Sequence, residues 1–183
     1  MNEIQGFGGS HADTVRDPYG RFFSAQEQTG ESGQCGMHSI RNLLETGDVS
    51  SEDMRRAAEN VAKLTGDELI NHEINGAWWS LDTVIFELGR RGFSTEYHKG
   101  DLDFEDDNTI GFIVHVPESC HYIAVRRSRR IVGSVELVDS MAGIETMRRR
   151  RLDMNAKKNI WNVIRVKASK CSHPHADHQS LFM

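Results

Sequence analysis

The chain has 183 residues, 38% of them hydrophobic, and a formal net charge of −5 at pH 7. That length suits one domain with a real core, and the acidic balance excludes a generic nucleic-acid binder, the arginine run at 148–151 being a local exception. No apolar run is as long as a membrane span, the polar start MNEIQGFGGSHAD lacks the pattern of a signal peptide, and the three cysteines (Cys35, Cys120, Cys171) show no pairing pattern.

These features predict a soluble monomer of the cytoplasm or nucleus, with no membrane and no nucleic acid as partner. Residues 1–22 show little periodicity and read as a loose N-terminal arm. A polar approach, QEQTGESGQC, leads into GMHSIRNLLE, where Met37, Ile40, Leu43 and Leu44 fall at helical spacing and Gly47 supplies a stop. SSEDMRRAAENVAKLTG predicts a second helix with Ser51 as its N-cap. AWWSLDTVIFELGRRG predicts a third, with Leu81, Val84, Ile85 and Leu88 on one face, Trp78 and Trp79 at its start, and Gly89 or Gly92 at its end.

Beyond that helix the period changes to two. FSTEYHK, TIGFIVHV, HYIAVRR, SVELVDS and WNVIRVK read as strands, with the acidic DLDFEDDN as a solvated loop between the first two. Helices followed by an antiparallel sheet make an α+β domain over 23–168. Residues 169–183 form a polar, His-rich tail expected to be disordered. Its Cys171, His173, His175 and His178 match no closed zinc site, so no metal is expected there.

Cys35 stands at the predicted start of the first helix, where unpaired N–H groups and the helix dipole favour a thiolate, and Gly36 leaves space for a carbonyl. A thiolate nucleophile needs a histidine to carry protons and a third group to orient it. Strands HYIAVRR and SVELVDS offer both. Pairing Val125 with Val135 sets Ile123 opposite Leu137 and His121 opposite Asp139, and directly opposed Cβ atoms lie roughly 5 Å apart. The plain alternative is a small core cysteine and an unrelated strand histidine. His38, three residues along a rigid helix from Cys35, is expected to be structural rather than the base, and Cys120 points to the face opposite His121.

Three blocks in order, QCGMHSIRNLLE, GAWWSLDTVIFELGRRGF and GFIVHVPESCHYIAVRRSRRIVGSVELVDSM, resemble the Josephin family of ubiquitin-directed cysteine peptidases, which are papain-like in architecture. The likeness covers most of residues 28–141. It implies Cys35 as nucleophile, His121 as general acid/base, Asp139 as the residue orienting it, ubiquitin or a ubiquitin-like protein and its conjugates as partner, and no cofactor. The family's oxyanion glutamine lies five residues before the cysteine. Here position 30 is Gly, which leaves Gln28 as the candidate, ahead of Gln34 and Gln26. The segment around HEING is shorter than the helical hairpin with which the family holds ubiquitin. Two other readings accompany this one: a peptidase that cuts leader peptides after a double glycine, which shares the Gln, Cys-Gly, His and Asp pattern, and a non-catalytic ubiquitin-binding module.

Overall fold

The computed structural model describes residues 15–16, 22–23, 33–75, 77–99, 102, 104–128, 131–141, 143–148 and 162–169. Most of the expected arm and all of the expected tail past residue 169 lie outside them, as does most of the arginine run. Within the arm, β1 (Val15–Arg16) pairs antiparallel with β2 (Phe22–Phe23).

Helix α1 (Cys35–Leu44) ends where Glu45 turns into the left-handed conformation. In α2 (Ser51–Thr65) the N-cap is Ser50, one residue before the expected Ser51. Ser50 and Asp53 exchange side-chain and backbone hydrogen bonds as a capping box, satisfying two otherwise orphaned N–H groups. A short 3-10 turn (Leu69–Asn71) and the ribbon of β3 (Glu73–Ile74) and β4 (Trp78–Trp79) follow. The two tryptophans therefore form a strand rather than opening α3. That helix runs Leu81–Arg90, because Ser80 accepts the Thr83 N–H and so sets its start. It passes through Gly89 and stops before Gly92, whose φ is +85°.

The five expected strands all form: β5 (Phe93–His98), β6 (Thr109–Val116), β7 (His121–Arg127), β8 (Ser134–Asp139) and β10 (Asn162–Ala168). An additional strand, β9 (Gly143–Arg148), was not expected; GIETMR follows a turn, and its two large apolar residues, Ile144 and Met147, stand three apart and so break the period of two. All pairings are antiparallel, in the order β5-β10-β6-β7-β8-β9.

Both faces of this sheet are covered. On one, Met37, Ile40 and Leu43 of α1 pack with Val84 and Leu88 of α3 against Ile113, Tyr122, Ala124, Val138 and Ile164. On the other, Leu102 and Phe104 cover Phe112, Val114, Ile123, Val125 and Val135. The acidic DLDFEDDN is thus more than a solvated loop, since its two apolar residues close the second core. A helix bearing Cys35, docked on an antiparallel sheet whose strands bear His121 and Asp139, is the α+β, papain-like arrangement expected. Among the described residues no helix is long and apolar enough to cross a membrane.

The β7–β8 register differs from the expected one. Val125 lies opposite Leu137 and Ala124 opposite Val138, a shift of two residues. A two-residue shift leaves every side chain on its face, so aliphatic matching cannot distinguish the two registers. The turn decides: the Ser128 N–H donates to the Ser134 carbonyl across a loop that contains Gly133 at φ +76°.

Candidate active site

The first turn of α1 meets the start of β7 and the end of β8 at one end of the sheet. Cys35 is 3% exposed, and its thiol donates to the Cys120 carbonyl at 3.6 Å. The next residue in the chain, His121, is bonded through Nε2 to Asp139 Oδ1 at 2.8 Å. The ladder has ended by then, so the two are diagonal neighbours rather than a directly opposed pair, and the side chains close the gap. Asp139 Oδ1 also accepts the Met141 N–H at 2.7 Å, which fixes the carboxylate as in an Asx turn.

The bond to Asp139, with a further contribution from hydrogen bonding to Cys35, raises the His121 pKa to about 9 against the opposing effect of burial. At neutral pH the ring is an imidazolium. Its Nε2 is committed to Asp139, which leaves Nδ1 for the sulfur. His38 behaves in the opposite way. Burial, with Arg41 nearby, lowers its pKa to about 4, so it is neutral and cannot serve as the acid. Its Nδ1 is buried and without a hydrogen-bond partner among the described residues.

Gly33 adopts φ +56°, and a Cβ there would stand 2.8 Å from Trp78 Nε1, so the indole lies directly on this glycine. Gly36 does not leave open space for a substrate. Its missing side chain lets α1 pack on Trp79 and Val84, with a built Cβ 3.3 Å and 3.2 Å from them. Trp79 in turn donates its indole N–H to Gln34 Oε1 at 3.3 Å, and its carbonyl accepts the buried Tyr122 hydroxyl at 3.0 Å. Tyr122 and Met141 thereby join the site through backbone contacts that residue type alone does not announce.

The structure therefore brings Cys35, His121 and Asp139 together. Gln28 and Gln26 lie outside the described residues, and the Gln34 side-chain oxygen is engaged by Trp79 and, at 3.4 Å, by the Ser51 hydroxyl. As the first residues of a helix, Cys35 and Gly36 have backbone N–H groups with no acceptor inside it. Among the described residues no group of three or more His, Cys, Asp or Glu side chains could hold a metal ion.

No family model matches the sequence, and no curated protein matches it. Among solved structures, it is similar to a double-glycine motif protease from an AMS/PCAT transporter in complex with its leader peptide. There the TM-score is 0.41 at 11% identity, over 77% of this chain and 89% of that one. It is also similar to the peptidase domain of Streptococcus ComA, a bifunctional ABC transporter involved in quorum sensing. There the TM-score is 0.38 at 20% identity, over 67% of this chain and 96% of that one. Both likenesses are too distant to carry residue roles. Neither concerns a Josephin peptidase, and the first binds a leader peptide, not ubiquitin. The expectation of ubiquitin as partner is corrected accordingly. The fold agrees with that correction, because between α2 and α3 the described residues form only a 3-10 turn and a two-stranded ribbon.

Proposed function

We propose that the chain is a cysteine peptidase that cleaves a peptide after glycine, of the kind that removes a leader at a double glycine. The observation that carries the reading is the chain of contacts from Cys35 through His121 to Asp139, with Nε2 held at 2.8 Å and the imidazolium form favoured. The substrate class is the one suggested by QCGM and HYIAV in the sequence, which suit the pattern of peptidases that cut after a double glycine.

In this reaction the Cys35 thiol loses its proton to water, the resulting thiolate adds to the scissile carbonyl, and the oxyanion is met by backbone N–H groups of the first turn of α1. His121 gives its proton to the departing amine as the C–N bond breaks, leaving a thioester on Cys35. The now neutral ring takes a proton from water, the hydroxide attacks the thioester, and the carboxylic acid departs, restoring thiolate and imidazolium. Asp139 keeps the ring oriented throughout.

The test is mass spectrometry of the protein incubated with peptide fluoromethyl ketones ending in Gly-Gly or in Gly-Leu. The expected result is one adduct with the Gly-Gly reagent, on Cys35, absent in Cys35→Ala and in His121→Ala. Equal labelling by both reagents would remove the glycine requirement. Labelling that persists in Cys35→Ala would remove the nucleophile itself.

A further inference from the structure

We propose that Cys120 is a resolving thiol for Cys35, so that oxidation of Cys35 by a peroxide closes a reversible Cys35–Cys120 disulfide at the mouth of the site. The proposal rests on the reading of Cys35 as a reactive thiol and adds a modification site to it. Two observations carry it. First, the two residues already touch, the Cys35 thiol donating to the Cys120 carbonyl at 3.6 Å. Second, Cys120 is one of only three described non-glycine residues with positive φ, at +48°.

The left-handed conformation is unfavourable for an L-residue because it drives Cβ against the residue's own carbonyl oxygen. Here that oxygen is the one accepting the Cys35 thiol, so the Cys120 Cβ lies on the side of its backbone that carries this carbonyl. A disulfide needs its two Cβ atoms about 3.5–4.5 Å apart. The Cys120 thiol now donates to the Pro117 carbonyl at 3.6 Å, a weak contact on the exposed side. Rotation about its Cα–Cβ bond turns the sulfur toward Cys35. Cys120 is exposed while Cys35 is buried, which gives a soluble reductant a sulfur to attack.

The chemistry balances in two steps. The Cys35 thiolate attacks one peroxide oxygen, the O–O bond breaks, and sulfur loses two electrons to become a sulfenic acid while hydroxide or alkoxide leaves. The Cys120 thiol then attacks that sulfur, forming the S–S bond and releasing water. Two equivalents of a thiol reductant return both cysteines. Without a resolving thiol the sulfenic acid continues to sulfinic acid, which thiols do not reverse.

The full chain, treated with hydrogen peroxide and digested without reduction, tests this. The expected product is a peptide pair joined at Cys35 and Cys120, two hydrogens lighter than the separate peptides. Alkylation of Cys35 should be lost and then restored by dithiothreitol. In Cys120→Ser, which keeps the backbone carbonyl, the same treatment should give Cys35 sulfinic acid severalfold faster, with no recovery. Linkage of Cys35 to Cys171, or equal rates of sulfinic acid formation in both proteins, would overturn the inference. Labelling of the reduced protein by the Gly-Gly ketone is scored separately, so the peptidase reading and the disulfide stand or fall on different readouts.

Discussion

His121, which meets the first turn of α1 from β7, and His38, which lies within α1, carry opposite pKa shifts, for reasons that can be tested separately. His121 is raised to about 9, chiefly by its bond to Asp139. A histidine whose native pKa exceeds its unfolded value of about 6.5 binds its proton more tightly in the folded state. Its contribution to stability is complete below about pH 6.5 and is lost as pH rises through about 9. In Asp139→Asn, urea midpoints should therefore fall less between those pH values than in the wild type. The alkaline limb of kcat/KM should move toward neutrality by about one unit or more. An unmoved limb would separate His121 from the chemistry. His38, lowered to about 4 chiefly by burial, has the reverse linkage. From pH 6.5 down to about 4 the unfolded chain takes up a proton that the native state refuses, so this group costs stability as pH falls. His38→Gln should gain on the wild type across that window, again in urea midpoints. Cys35, His121 and Asp139 were legible because residue type and alternation announce them. The left-handed turn at Cys120 was not, because a strained φ is imposed by the contacts around it rather than by the side chain that bears it.

Helix α1 is tethered to the sheet at its C-terminal end by a buried ion network. The Arg126 guanidinium on β7 donates to the Asn42 carbonyl at 2.9 Å and pairs with Glu45 at 2.9 Å and Glu136 at 3.0 Å. Glu136 is 1% exposed and also accepts the Ser128 hydroxyl at 3.2 Å. Arg126→Ala leaves a buried carboxylate without its cation and should destabilise the fold by about 3–5 kcal/mol in urea unfolding. Arg126→Met combined with Glu136→Met should recover most of that loss, since the fully buried carboxylate is removed with its cation and Glu45, which also loses this partner, is partly exposed. A double variant as unstable as the single one would mean that the network supplies net stability. The existence and type of α1, α2, α3 and five strands were legible from period alone. The failures lie where two local signals compete. Two tryptophans read equally well as a helix start or as a strand, and the Ser80 cap decides. The β7–β8 register depended on a turn whose conformation the flanking strands do not encode.

At the scale of the molecule, the site exists because one sheet is packed on both faces and its end is left for chemistry. The helices cover one face, and the other is closed by a stretch whose charges conceal its role. Leu102 is fully buried, and Phe104 meets Phe112 edge-on at 4.9 Å between ring centroids. Composition marks this segment as solvated because its acidic residues outnumber the two apolar ones, although burial depends on those two alone. The same cluster includes Ile123 and Val125 of β7, the strand that begins at His121. Loosening it therefore threatens the whole sheet rather than the sulfur. Leu102→Ala removes a fully buried side chain and should cost about 2–5 kcal/mol, the spread reflecting how far Phe104 and Phe112 collapse into the space. Its unfolding midpoint should fall accordingly, while Gly-Gly ketone labelling of Cys35 per folded molecule stays at the wild-type rate under conditions where the variant remains native. A slowed labelling rate in the folded variant would mean instead that the second core sets the position of His121. The distance between His121 and Asp139 would then be a property of the loop as much as of the strands.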